Sequence, residues 1–146
     1  MSQLTIPRAR ALGGEQPWID IGLRYFLTAV CAGSAGVHAA LIQPHFLESA
    51  LLGSAFTAAA VALALAALAV RQPRHDSWAI AAASVTLCVI AASYMLSRST
   101  GIPLLIAQPE HVDALGTVTT AAEIAGAFCG AVLMSRSALM SRKDKK

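Results

Sequence analysis

Charged residues are scarce in this 146-residue chain: only 13% are Asp, Glu, Lys or Arg, whereas 56% are hydrophobic. A soluble domain typically carries about 25% charged residues, so this composition argues against one and indicates lipid as the surrounding medium. Aromatic residues make up only 5%, and the apolar content is mostly Ala, Leu, Val and Ile. Small residues of this kind suit close packing of helices in a membrane.

Cysteine is also rare, and its placement excludes a disulfide framework. Cys31, Cys88 and Cys129 each fall inside an apolar run, and there is no Cys-x-x-Cys. We interpret them as small buried hydrophobic residues. The formal charge of +3 does not indicate a nucleic-acid partner, because the basic residues lie between apolar segments rather than in one stripe.

Four apolar windows have about the 20 residues that a helix needs to cross the hydrocarbon of a bilayer. They span residues 23–42, 51–70, 78–96 and 114–134. We therefore predict an all-α, four-helix transmembrane bundle over residues 23–134. A segment of residues 1–22 precedes it and a basic tail of residues 135–146 follows it.

Lys and Arg in short flanking segments are held on the cytoplasmic side of a membrane. They are concentrated before and at the very start of the first window, between the second and third, and after the fourth: Arg8, Arg10, Arg24, Arg71, Arg74, Arg136, Arg142, Lys143, Lys145 and Lys146. Only Arg98 lies on the other side. This bias predicts a multi-pass membrane protein with cytoplasmic termini and with its connections 43–50 and 97–113 facing outward.

Two stripes of small residues are suited to helix contacts in lipid. Gly126 and Gly130 lie four apart in the fourth window, and Ala32, Gly36 and Ala40 share a register in the first. Either stripe can pack within the bundle or between copies. A homo-oligomer or a larger membrane complex is therefore a partner hypothesis.

Ionisable groups inside a span are costly, so each is a functional hypothesis. Most of them lie in the outward half. His38 is about four residues, or ~6 Å, inside the outer end of the first helix, and Tyr94 occupies a similar level in the third. His45 and Glu48 are three apart, which predicts one face of the first turn of the second helix and a pair able to bind a metal ion. A structural alternative remains open, because Pro44 suits a first helical position and an acidic residue there complements the helix dipole.

Arg98 closes the third helix, with Tyr94 one turn earlier on the same face, and its charge complements the dipole there. Asp113 is predicted to cap the fourth helix. Glu110 and His111 are interpreted as solvated loop residues.

Glu123 is different, because it lies nine residues into the fourth window, ~13 Å deep. A charged carboxylate there costs a few kcal/mol, about 2.5–3.5 on insertion scales. It must be protonated, paired or in contact with water. Thr119, Thr120 and Gly126 lie on its side of the helix, and a purely structural interhelical hydrogen bond is the alternative.

These residues come from all four helices and converge on one end of the bundle. We predict no catalytic residue, His38, His45 and Glu48 as metal ligands, and Tyr94, Arg98 and Glu123 as ligand-binding residues. The sequence does not identify a cofactor, and a transition metal ion is the candidate that these ligand types suit. Haem is less well supported, because only His38 lies clearly within a span. Nothing matches a phosphate loop, a zinc-protease helix, or a Ser or Cys triad.

Several short motifs carry a resemblance across roughly residues 36–125. They are Gly36-Val37-His38, Pro44-His45-Phe46-x-Glu48, Gly53-x-x-Phe56, Tyr94-x-x-Ser97-Arg98-x-x-Gly101-Ile102-Pro103, and Glu123. In these the chain resembles a group of small four-span membrane proteins of high-GC Gram-positive bacteria. That group has no established activity, so the resemblance implies four spans and the same polar positions but no function.

The leading hypothesis is a non-catalytic membrane protein whose outward polar site binds a metal ion, a small ligand or a partner helix. A purely structural accessory subunit of a larger complex is the first alternative. An oligomeric proton- or metal-linked transporter is the second. An enzyme is disfavoured, because no nucleophile with its base can be identified.

Overall fold

Four long α-helices make up the protein, which we describe from a computed structural model. The structure describes residues 17–72, 76–102 and 108–143. The helices are α1 (Pro17–Glu48), α2 (Ala50–Val70), α3 (Asp76–Ser99) and α4 (Ala114–Lys143). Each predicted window lies inside one of these helices, so the predicted all-α four-helix bundle is confirmed.

All four helices are long and apolar enough to cross a membrane. Their outer surfaces are apolar as well: Val61, Leu65 and Leu68 of α2 are all more than half exposed. Large exposed apolar surfaces are rare on soluble proteins and normal on helices that face lipid. The chain is therefore a multi-pass membrane protein.

The helices form a ring in chain order. α1 packs against α2 and α4, α3 packs against α2 and α4, and the diagonal helices α1 and α3 barely touch. Successive helices are antiparallel, so the end of α1 and the start of α4 share one end of the bundle, here called the His45 end. The opposite end, where α4 finishes beyond Arg136, is called the basic end.

The apolar core occupies the half of the bundle toward the basic end. Its members come from the first part of α1, the last part of α2, the first part of α3 and the last part of α4: Leu27, Cys31, Ala35, Leu63, Ala66, Ala67, Val70, Ile80, Ala83, Leu87, Ala127, Cys129 and Leu133. On α1 this core includes no residue after Ala35, and on α2 it includes none before Leu63. Its interior is where the polar residues lie.

The two stripes of small residues have different surroundings. A Cβ atom added to Gly126 would lie 2.8 Å from Val30 Cγ1 and 2.9 Å from Leu87 Cδ1, so this glycine lets α4 approach both α1 and α3. A Cβ atom added to Gly130 would likewise collide with the side chain of Ser84 on α3. Gly36, by contrast, is exposed and has nothing within 4 Å of such a Cβ. The α4 stripe therefore packs inside the bundle, whereas the α1 stripe lies on its surface.

The junction between α1 and α2 differs from the sequence-based expectation. α1 continues through Pro44 to Glu48, and Ser49 alone separates it from α2, with its hydroxyl accepting from the backbone N–H groups of Leu51 and Leu52. The Phe46 ring packs directly on Gly53, where a side chain would collide with it. Because a transmembrane helix tolerates proline when its neighbours satisfy the freed backbone groups, Pro44 does not begin a new helix here.

This correction changes the interpretation of His45 and Glu48. They lie in the last turn of α1, not in the first turn of α2. The C-terminal end of a helix disfavours a negative charge, so dipole complementarity cannot explain Glu48.

Some predicted segments lie outside the described residues. These are residues 1–16 of the predicted N-terminal segment, residues 73–75 with Arg74, and residues 144–146 of the predicted tail. The rest of that tail, up to Lys143, continues α4.

Candidate functional site

Glu123 lies at the centre of the interior and is only 1% exposed. The hydroxyl of Ser34 on α1 donates a hydrogen bond to its Oε1. Ser34 is itself buried, with 5% of its surface exposed. This contact is an interhelical hydrogen bond of the kind that the sequence analysis gave as the structural alternative for Glu123.

His38 extends this contact toward the His45 end. Its Nδ1 lies 3.0 Å from the backbone oxygen of Ser34 and 3.4 Å from the Ser34 hydroxyl oxygen. A carbonyl oxygen only accepts, so Nδ1 carries a hydrogen and Nε2 is left as the acceptor of the ring. Ser34 thus contacts Glu123 through its hydroxyl and His38 chiefly through its backbone oxygen, and we call Glu123, Ser34 and His38 the Glu123 row.

His45 and Glu48 form a second polar group at the end of α1. Nδ1 of His45 lies 3.1 Å from Oε2 of Glu48. The ring of Phe56, on α2, lies between the two histidines: its centroid is 3.9 Å from that of His45 and 5.4 Å from that of His38. The two imidazoles, which are two turns apart along α1, therefore both lie against the ring of Phe56.

The predicted metal ligands are distributed over these two groups. His45 and Glu48 bind each other, whereas His38 is engaged with Ser34. Among the residues that the structure describes, no three His, Cys, Asp or Glu side chains are grouped closely enough to hold a metal ion. Metal binding by His38, His45 and Glu48 stays a prediction, and it needs a rearrangement around Phe56.

Arg98 is the centre of a third group, which joins the ends of α3 and α4. Its guanidinium donates to Glu110 and, over 2.8 Å, to Oδ2 of Asp113. It also lies over the ring of Tyr94, 4.7 Å from the centroid, at a distance suited to a cation–π contact. The phenol of Tyr94 in turn reaches Thr117 at 3.2 Å. We call Tyr94, Arg98, Glu110 and Asp113 the Arg98 clamp.

Asp113 both caps α4 and anchors this clamp. Its Oδ1 accepts from the backbone N–H of Gly116 at 2.6 Å, which confirms the predicted cap. That bond, with the contribution of Arg98, holds the pKa of the Asp113 carboxyl below its usual value. Asp113 is therefore ionised at neutral pH and available to Arg98.

The predicted ligand-binding residues are likewise divided. Tyr94 and Arg98 belong to the clamp, and Glu123 lies about two turns deeper in α4 than Thr117, the clamp's partner on that helix. Arg98 has no acceptor for its buried Nε, the one such atom among the described side chains. The other nitrogens of its guanidinium, Nη1 and Nη2, donate to Glu110 and Asp113.

A groove of about 430 Å³ opens between α3 and α4, but it is separate from these polar groups. Its lining is almost entirely apolar: Cys88, Ala91, Ala92, Met95, Ile124, Ala127, Phe128 and Ala131. None of the predicted site residues lines it. The polar groups thus lie in packed interfaces and at the His45 end rather than in this groove.

The sequence reasoning missed three residues that the site uses. Ser34 was a detectable candidate, because it lies four residues before His38 and so on the same face of α1. Phe56 stood in the motif Gly53-x-x-Phe56, but nothing in that spacing indicated a contact with histidine. Glu110 lies in the loop before α4 and is partly exposed, as interpreted, but the sequence gave no indication that it pairs with Arg98.

Comparison with known proteins gives no assignment: no protein-family model, curated protein or solved structure matches this chain.

Proposed function

We propose that this chain is a non-catalytic protein of a bacterial plasma membrane that binds a small cationic ligand at the Glu123 row. The observation that carries the proposal is the burial of Glu123, a carboxyl group 1% exposed within a predicted span. A carboxyl group so placed costs free energy, and a structural hydrogen bond does not require an ionisable group.

The arrangement of charges supports a cation over an anion. A carboxyl group lies at the bottom of the row, a hydroxyl and an imidazole lie above it, and the pair His45 and Glu48 adds a second carboxylate at the end of α1. Within the described residues, no Arg or Lys contacts the Glu123 row, although Arg98 lies in the same half of the bundle. An outward-facing His45 end, with both termini in the cytoplasm, follows from the bias of basic residues in the sequence.

Ligand content of the purified protein tests this proposal. The full chain is purified in detergent, its bound metal is measured by mass spectrometry, and its visible spectrum is recorded. Thermal stability is then measured with added divalent transition metals and with small organic cations. We expect a ligand-dependent stabilisation that His38→Ala and Glu123→Gln abolish and that Ser93→Ala, a change of an exposed serine on α3, leaves intact.

A structural subunit is the second candidate, and the placement of polar contacts along one interface favours it. Besides Ser34 and Glu123, α1 and α4 are joined by Asp20 with Arg136, 2.6 Å apart, and by the thiol of Cys129, which donates to the backbone oxygen of Leu23. If Glu123 serves only this interface, no cation stabilises the wild type, and Glu123→Leu prevents assembly while Glu123→Gln, which keeps a hydrogen bond, does not.

A further inference from the structure

We propose that copies of this chain assemble head to tail in the membrane, with one face of α1 seated in the groove between α3 and α4 of the next copy. The inference is independent of what the Glu123 row binds. It concerns two surfaces that lie open on the outside of the bundle.

The first surface is a face of α1 that carries only alanine and glycine. From residue 27 to residue 40, every exposed residue of α1 is one of these two: Ala29, Ala32, Gly33, Gly36, Ala39 and Ala40. We call these six residues the α1 face. It is about 17 Å long, which is more than half of a hydrocarbon thickness of about 30 Å. The other helices expose large side chains instead, such as Leu65 on α2, Val89 on α3 and Phe128 on α4.

The α1 face is suited to another helix rather than to lipid. A Cβ atom added to Gly33 or to Gly36 has nothing within 4 Å, so the space in front of the face is open. Lipid tails are as apolar as a helix surface, and the close approach of backbones at Gly and Ala is what favours helix association in a membrane. The α1 face therefore leaves room for a helix at the distance of closest packing.

The second surface is the α3–α4 groove, which has the shape to receive a helix. Each helix lines it with residues at the spacing i, i+3, i+4 and i+7, which is one face of an α-helix: Cys88, Ala91, Ala92 and Met95 on α3, and Ile124, Ala127, Phe128 and Ala131 on α4. Ala91 and Ala127 are buried and form the floor, whereas Met95 and Phe128 are more than half exposed and form the rims. A helix that has only small side chains on one face can lie between these rims.

The two surfaces lie at the same depth in the bundle. A Cβ atom added to Gly126 would touch both Val30 of α1 and Leu87 of α3, so residues 30 and 87 are level. α1 and α3 run in the same direction, and residues 31–38 of α1 are therefore level with residues 88–95 of α3. Copies with the same topology differ in position only within the membrane plane. The α1 face of one copy thus meets the groove of its neighbour without a vertical shift.

The contact joins different surfaces of the two copies. α1 and α3 occupy diagonal corners of the bundle and barely touch, so the α1 face and the groove look in different directions. A two-fold pairing of α1 faces would leave the groove open, whereas a head-to-tail contact buries both surfaces and continues from copy to copy. The assembly therefore contains more than two chains. Copies diluted in excess detergent separate, because association depends on protein concentration, so the stability of a single bundle is measured apart from this contact.

Disulfide cross-linking tests this contact, because the groove already holds an exposed thiol at Cys88, whereas Cys31 and Cys129 are buried. The variant Gly33→Cys adds a thiol to the α1 face. The full chain is reconstituted in vesicles of phosphatidylethanolamine and phosphatidylglycerol, oxidised with copper phenanthroline and run on a non-reducing gel. We expect a ladder of dimers, trimers and larger species, because each chain then carries one thiol on each surface.

Two further variants separate this contact from other ways of forming disulfides. Leu65→Cys places a thiol on the exposed surface of α2 at the same depth and should give no ladder. Leu65 lies 15 residues after the start of α2, and Gly33 lies 15 residues before the end of α1. Ala92→Phe, at an exposed alanine of the groove, should remove the ladder of Gly33→Cys while the helix content measured by circular dichroism stays the same.

Three results overturn the inference. The first is the absence of intermolecular disulfides in Gly33→Cys. The second is a product that stops at the dimer and persists when Cys88→Ala is added, which would show that two α1 faces pair with each other. The third is an equal ladder from Leu65→Cys, which would show that the disulfides report random collisions. None of these results changes the ligand content expected of the Glu123 row.

Discussion

In the half toward the basic end, Leu27, Leu63 and Ile80 are packed together and almost wholly buried, whereas in the other half the interior is occupied by Ser34, Glu123 and His38. The same four helices supply both halves. The core of the first consists of side chains that need no hydrogen-bond partner, whereas the interior of the second includes groups that each require one. Stability is thus concentrated at one end of the bundle and chemical specificity at the other.

The largest expected effect comes from opening a cavity in the apolar half. Leu63 is 0% exposed, so Leu63→Ala should lower the free energy of unfolding by about 2–5 kcal/mol. Leu65, on the same helix, is 61% exposed, and Leu65→Ala is the matched control. Both are measured by unfolding in mixed micelles with increasing SDS. Equal losses of stability in the two variants would show that the buried Leu63 contributes no more to stability than the exposed Leu65.

A smaller effect is expected from filling the closest helix contact. Gly126→Leu places atoms where Val30 and Leu87 already lie, and it should cost about 1–3 kcal/mol by the same assay. Gly36→Leu, on the open face of α1, should be nearly neutral. A larger loss for Gly36→Leu than for Gly126→Leu would reverse the assignment of the two stripes and place a packed partner on α1.

The polar half is tested by a double-mutant cycle between Ser34→Ala and Glu123→Gln. Hydrogen bonds between membrane helices average about 0.6 kcal/mol and reach about 1.7 kcal/mol, so the coupling should fall in that range. The unfolding free energies of the two single variants, the double variant and the wild type give the value. No coupling would mean that the contact contributes nothing to the α1–α4 interface.

The smallest effect is expected at the Arg98 clamp and depends on pH. The pKa of Asp113 is lowered in the folded protein, chiefly by the N–H of Gly116, so its contribution is present above the usual pKa of about 3.9 and is lost as pH falls through the lower folded value. The protection factors of the amides in residues 108–116, which are corrected for the slower intrinsic exchange in acid, should therefore fall on acidification. Asp113→Asn, which cannot ionise, should show fast exchange there at neutral pH and little further change.

The contrast between the halves also separates what sequence reasoning can and cannot predict. Hydropathy located all four helices, because membrane burial acts on windows of about 20 residues and tolerates local exceptions. The burial of Glu123 followed from depth alone. Its partner did not, because a serine in an apolar helix commonly bonds to its own backbone, as Ser84 and Ser93 do here, and only the packing of α1 on α4 distinguishes Ser34 from them.

The end of α1 was predicted wrongly for a related reason. Judged from its neighbours in sequence, Pro44 indicates the start of a helix. In the structure the ring of Phe46 packs on Gly53 and brings α2 directly beside the last turn of α1. That contact lies between residues seven apart and has no local signature. The partners of Arg98 were equally hidden, because Glu110 is separated from Arg98 by residues whose path the sequence does not define.

The single-residue junction at Ser49 has a consequence for biogenesis. A chain that turns within one residue offers no polar loop to be translocated separately, so we expect α1 and α2 to enter the bilayer together as a preformed hairpin. The ionisable groups carried across with it are His38, His45 and Glu48. His45 and Glu48 can remain hydrogen-bonded to each other during the passage, since Nδ1 of His45 already lies 3.1 Å from Oε2 of Glu48.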